Sequence, residues 1–170
     1  MLFAEIVATS AAVTAASGRN AKRDALAGLL ARLGPEEIEP AIGFLIGEPR
    51  QGRIGVGWRT IAGVERAPAA EPSVAIAEVD ALLSELAVTS GAGSGARKQA
   101  LLGDVLARAT TTEAAFLSQL EGGGLRQGAL AGVMTDAVAA APGIPATVVR
   151  RAIMLGGRPD AVARIALTEG

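Results

Sequence analysis

Two copies of one tripeptide, Arg50-Gln51-Gly52 and Arg126-Gln127-Gly128, stand 76 positions apart (126 − 50). A guanidinium beside a glycine turn suits phosphate: arginine supplies a fork of charged donors, and a backbone free of side chains can bring its N–H groups close. The first copy continues as Arg53-Ile54-Gly55-Val56-Gly57. Its glycines at Gly52, Gly55 and Gly57 allow a tight turn, with Ile54, Val56 and Trp58 as apolar anchors. Two further basic pairs, Arg19 with Lys22 and Arg97 with Lys98, open helical segments, where free N–H groups and the helix dipole also favour phosphate. Two equivalent basic turns suit a repetitive polyanion better than a single small ligand.

The elements that must position these groups repeat with the same offset. Lys22, Leu26, Leu30, Ala31 and Arg32 fall on Lys98, Leu102, Leu106, Ala107 and Arg108, and Glu37 falls on Glu113. The spacing predicts a first helix ending near Ser17-Gly18. A second, capped by Ser17 or Asn20, carries Leu26, Leu29, Leu30 and Leu33. Gly34-Pro35 with Glu36 and Glu37 opens a third, which buries Ile38, Ile42 and Leu45. A short helix through Trp58, Ile61 and Val64 follows the glycine turn. Residues 67–72 read as a linker between pseudo-repeats 1–66 and 73–170 of one domain.

The second half opens with a helix from Ser73 burying Ile76, Val79, Leu83 and Leu86, then a flexible loop at 89–96. A helix carries Leu101, Leu102, Val105 and Leu106. Thr110-x-x-Glu113 is a capping box for the next, with Phe116, Leu117 and Leu120. Helices near 129–140, 146–155 and 159–167 complete an all-α chain of about ten helices.

Composition excludes much chemistry. The 170 residues hold no histidine and no cysteine, which removes zinc–thiolate sites, Ser-His-Asp triads and Cys-His dyads. Asp24, Asp104 and Asp136 are isolated in sequence, so no catalytic site and no metal site is expected. Gly91-Ala-Gly-Ser-Gly-Ala-Arg97-Lys98 is not a phosphate-binding P-loop, because Gln99 follows the lysine and no strand precedes it. No apolar run reaches a membrane span, and the absence of cysteine fits a cytoplasmic protein. The net charge of −1 demands that any basic surface be segregated on one face.

In its motifs the chain resembles the N-terminal DNA-binding domain of bacterial ATP-dependent DNA ligases, in an actinobacterial-type form. The resemblance rests on Leu2-Phe3-Ala4-Glu5-Ile6-Val7-Ala8-Thr9-Ser10, on Gly47 to Trp58, on Arg126 to Met134 and on Ala163-Arg164-Ile165-Ala166-Leu167-Thr168. It implies a helical domain with an internal pseudo-repeat that lies along the minor groove of nicked duplex DNA. It further implies nucleotidyltransferase and OB domains of the same ligase as partners, with a monomeric protein. ATP and Mg would be used by the full-length enzyme, in replication, repair or recombination, and no cofactor is expected in this domain. The adenylated-lysine motif Lys-x-Asp-Gly is absent, so the chain is expected to be inactive in ligation alone. Two turns depart from the family pattern, Gly122-Gly123-Gly124 and Gly156 to Pro159. The competing reading is an α-helical repeat module that binds another protein. Charge geography separates the two, because DNA binding needs the turns and helix starts on one face.

Overall fold

The computed structural model describes residues 1–52, 54, 67–122, 125, 128–156 and 158–169. Nine α-helices account for most of them, and the only β-type pairing among them is a single bridge between Leu2 and Ala75. The helices are α1 (Phe3–Ala15), α2 (Arg19–Leu30), α3 (Pro35–Ile46), α4 (Ile76–Val88), α5 (Ser94–Leu106), α6 (Thr111–Gly122), α7 (Gly128–Ala140), α8 (Ala146–Gly156) and α9 (Pro159–Glu169). The expected short helix through Trp58 lies outside the described residues. No helix among those described is long and apolar enough to cross a membrane.

Three starts show how sequence sets the boundaries. Pro35 and the Glu37 carboxylate open α3, with Glu37 Oε2 accepting the Gly34 N–H at 2.9 Å. The Thr110–Glu113 box closes in both directions, at 2.8 Å and 3.3 Å. Glu78 does the same service for Ala75 N–H at 2.8 Å. With 35 + 76 = 111 and 46 + 76 = 122, α3 and α6 stand at the repeat offset at both ends.

Three local expectations are corrected. Gly18, not Ser17 or Asn20, is the N-cap of α2, and no side chain caps it. The fourth helix begins at Ile76 rather than Ser73, because the Ser73 hydroxyl donates to the Arg108 carbonyl and the Leu2–Ala75 bridge holds the chain extended. The loop expected at 89–96 ends at Gly93. Gly91 and Gly93, at φ +88° and +78°, make the turn, so Ser94 to Ala96 are free to be helical.

Packing mixes the two halves. α2 lies across α7 and α3 across α9, while α1 packs on α2 and α6. All three phenylalanines meet: Phe3 stands edge-on to Phe44 (5.8 Å between ring centres) and to Phe116 (5.6 Å). One ring thus ties α1, α3 and α6 together in an otherwise aliphatic core that extends from Phe3 to Ala163.

Candidate nucleic-acid interface

The first glycine turn begins where α3 stops. Gly47 takes the left-handed conformation at φ +76°, and the Glu48 N–H turns back to the Gly43 carbonyl at 2.8 Å. A Cβ on Gly43 would stand 3.0 Å from the Glu48 carbonyl oxygen and 3.2 Å from Pro49 Cα, so a side chain there would press the returning backbone outward by a few tenths of an ångström. Gly52, at φ +68°, closes a turn by donating its N–H to the Pro49 carbonyl at 2.9 Å.

The side chains of this turn face inward as well as outward. Arg50 forms a two-pronged ion pair with Asp80 on α4, through Nε (2.8 Å) and Nη2. Gln51 Nε2 donates to the Asp80 carboxylate (2.7 Å) and carbonyl (3.0 Å) and to Ser84 Oγ (2.9 Å). Asp80 is buried, while the Arg50 side chain stays 46% exposed. Two residues on, Ile54 is buried and its carbonyl accepts Lys98 Nζ at 3.1 Å.

The other basic groups divide the same way. Arg19, at the first position of α2, holds Asp136 through Nε (3.1 Å) and Nη2 (2.7 Å) and also donates to the Gly132 carbonyl. Arg150 takes the other Asp136 oxygen at 2.7 Å. Asp136, isolated in sequence, is therefore shared by two arginines. Hydrogen bonds from Arg150 and then Arg19 hold its carboxyl below the usual range. Among the described residues, no ion pair engages Lys22 or Arg97, and Arg97 is exposed. Arg97 and Lys98 are the fourth and fifth residues of α5, so they sit just past its first turn. Arg53, Gly55, Gly57, Arg126 and Gln127 lie outside the described residues, and Gly128 is the first residue of α7.

Of the residues leading into the second tripeptide, Leu125 is described. Leu125 is buried, and a Cβ on Gly47 would come within 2.8 Å of its carbonyl oxygen. The chain just before the second tripeptide thus touches the chain just before the first.

Sequence reading missed the acidic partners and one basic neighbour. A cleft of about 370 Å³ beside the turn is lined by Gly43, Glu48, Arg50, Gly52, Arg158 and Asp160. Arg158 pairs with Asp160, and Arg164 with Glu39 at 2.9 Å. The atypical turn near Gly156 therefore brings a guanidinium next to Arg50. Asp80 carried a readable signal: it stands among Ile76, Val79 and Leu83 on the buried face of α4. A charge at such a register position demands a partner.

The family "DNA ligase N terminus" matches residues 61–139. Similarity to probable DNA ligases covers the whole chain: 52% identity with that of Saccharopolyspora erythraea, 49% with that of Rhodococcus jostii and 51% with that of Rhodococcus opacus. The chain is thus similar over its whole length to part of these probable DNA ligases and, over residues 61–139, to the DNA ligase N-terminus family. It spans about a third of the length of these relatives (33%, 34% and 34%).

Proposed function

We propose that this chain is a sequence-independent duplex-DNA binding domain of an ATP-dependent DNA ligase, holding nicked DNA along the minor groove for strand joining. The contact of Gly47 with Leu125 supports the reading, since it joins the residue three before the first Arg-Gln-Gly to the residue just before the second. Backbone donors of glycine turns would meet phosphates of a duplex whatever the bases. Lys22 and Arg97, with Arg53 and Arg126, supply charge, and Arg19, Arg50 and Lys98 retain free donors beside their internal partners. ATP and Mg act in the remaining domains of the ligase, which this chain would meet as protein partners. The exposed Met154, Leu155 and Ile165 on α8 and α9 support a protein contact there.

Fluorescence anisotropy with nicked and intact duplexes across a salt series tests the proposal. About four phosphate contacts give a log–log slope of about −3.6 and little dependence on sequence. A slope near zero would instead favour the protein-binding reading, for which the exposed apolar side chains of α8 and α9 are the specific support.

A further inference from the structure

We propose that Asp80 is a positioning residue for DNA binding: its buried carboxylate, acting through Arg50 and Gln51, fixes the path on which the chain leaves Gly52 toward the glycine-rich stretch. The inference rests on the DNA-binding reading above and adds an acidic residue to a surface that must attract a polyanion.

The geometry assigns the role. Arg50 places Nε and Nη2, one whole edge of its guanidinium, on the Asp80 carboxylate. Gln51 Nε2 lies within reach of three acceptors, the carboxylate and carbonyl of Asp80 and the Ser84 hydroxyl, which its two N–H groups share. Ser84 in turn donates to the Asp80 carbonyl at 2.9 Å, so the receiving end is itself held. On the far side of Gly52 the buried Ile54 side chain and the Lys98–Ile54 bond form a second anchor, from α5. The chain at 50–54 is thus held at both ends by helices of the other half of the molecule. Preorganised backbone donors bind more tightly because the ordering cost is met during folding. Lys98 shares this role, which accounts for a lysine whose ammonium meets a carbonyl instead of open solvent.

Two roles for the Arg50–Asp80 pair predict opposite signs. If Arg50 were a direct phosphate ligand restrained by Asp80, removing the Asp80 charge would release it and tighten binding. Coulomb attraction alone predicts the same, since the surface becomes more positive. If Asp80 positions the turn, the same change weakens binding.

The experiment measures nicked-duplex affinity over a salt series for the 170-residue chain and for Asp80→Asn, Arg50→Ala and the double variant, with thermal unfolding in parallel. Each single variant is expected to bind about tenfold more weakly. The double variant should be no worse than either single one. The slope for Asp80→Asn should become shallower by about one phosphate, against the change in net charge. Tighter or unchanged binding by Asp80→Asn overturns the positioning role while leaving DNA binding intact. Failure of the parent chain to bind any duplex overturns the functional reading and this inference together. Should Asp80→Asn not fold, Gln51→Ala decides: weaker binding with a native melting curve supports the role, and parental affinity overturns it.

Discussion

Gly47 and Leu125 touch through their backbones, so tightly that a Cβ on Gly47 would lie 2.8 Å from the Leu125 carbonyl oxygen and 2.9 Å from its carbonyl carbon. The contact joins the end of α3 to the stretch entering α7, the two places where the repeated tripeptide begins. The nearest atoms are backbone atoms of Leu125, so a side chain at position 47 would meet no flexible group able to rotate away.

Gly47→Ala therefore meets two obstacles at once. Its φ of +76° costs an L-residue about 1–2 kcal/mol, and the clash with Leu125 adds to that. Urea unfolding should show a loss of more than about 2 kcal/mol. Gly52→Ala, also at positive φ but with open space around it, should lose only the conformational part. Equal losses for the two would show that the Leu125 contact carries no strain.

Phe3 gives the largest expected core effect. Its ring sits between Phe44 and Phe116 and is 2% exposed. Phe3→Ala should cost about 3–5 kcal/mol in chemical denaturation. Phe3→Leu, which keeps most of the volume, should cost less than half of that. Similar losses for both would point to the edge-on ring geometry, rather than buried volume, as the source of stability.

The helices were legible because their leucines recur at helical spacing and because proline, glycine and Glu37 or Glu113 mark their starts. Gly18 as a cap was not, since an N-cap without a side chain leaves no signature. The candidate site was only half legible. Glycine and arginine types announced the turns, but sequence spacing gave no hint that Arg50 and Gln51 reach 29–30 residues ahead to Asp80. Arg19 meets Asp136 across 117 positions, a pairing set by α2 crossing α7 and by nothing local. Charge pairs of this kind belong to the fold, and the charges that remain free can be identified only after it is known.

Acid should unfold the domain at a pH set by these pairs. Asp136 is held below its ordinary value of 3.8 by Arg150 and Arg19, and Glu78 below 4.5 by Arg108 and the Ala75 N–H. For Glu37 and Asp160 burial acts upward, but hydrogen bonds outweigh it: Met1 and Gly34 N–H for Glu37, Arg158 and Ala161 N–H for Asp160. All four bind protons more weakly in the folded chain, so their contribution is complete above 4.5 and 3.8 respectively and is lost as pH falls below those values. With no histidine the melting temperature should be flat between about pH 5 and 7. A melting temperature that drops between pH 7 and 5 would contradict this assignment.

Asp136→Asn provides the counterpart to the Asp80 variant. The two carboxylates differ in what they hold: Asp80 holds a turn, whereas Asp136 holds two exposed arginines, Arg19 and Arg150, whose side chains remain 60% and 56% accessible. Exposed ion pairs contribute about 0–1 kcal/mol each, so the loss of stability should be small. The released guanidiniums should instead become available to phosphate. Nicked-duplex binding should tighten severalfold at low salt, with a slope steeper by about 0.9 for each phosphate gained. Weaker binding by Asp136→Asn would mean that Arg19 must be held by its carboxylate to function, and that α2 is positioned for DNA in the same manner as the first glycine turn.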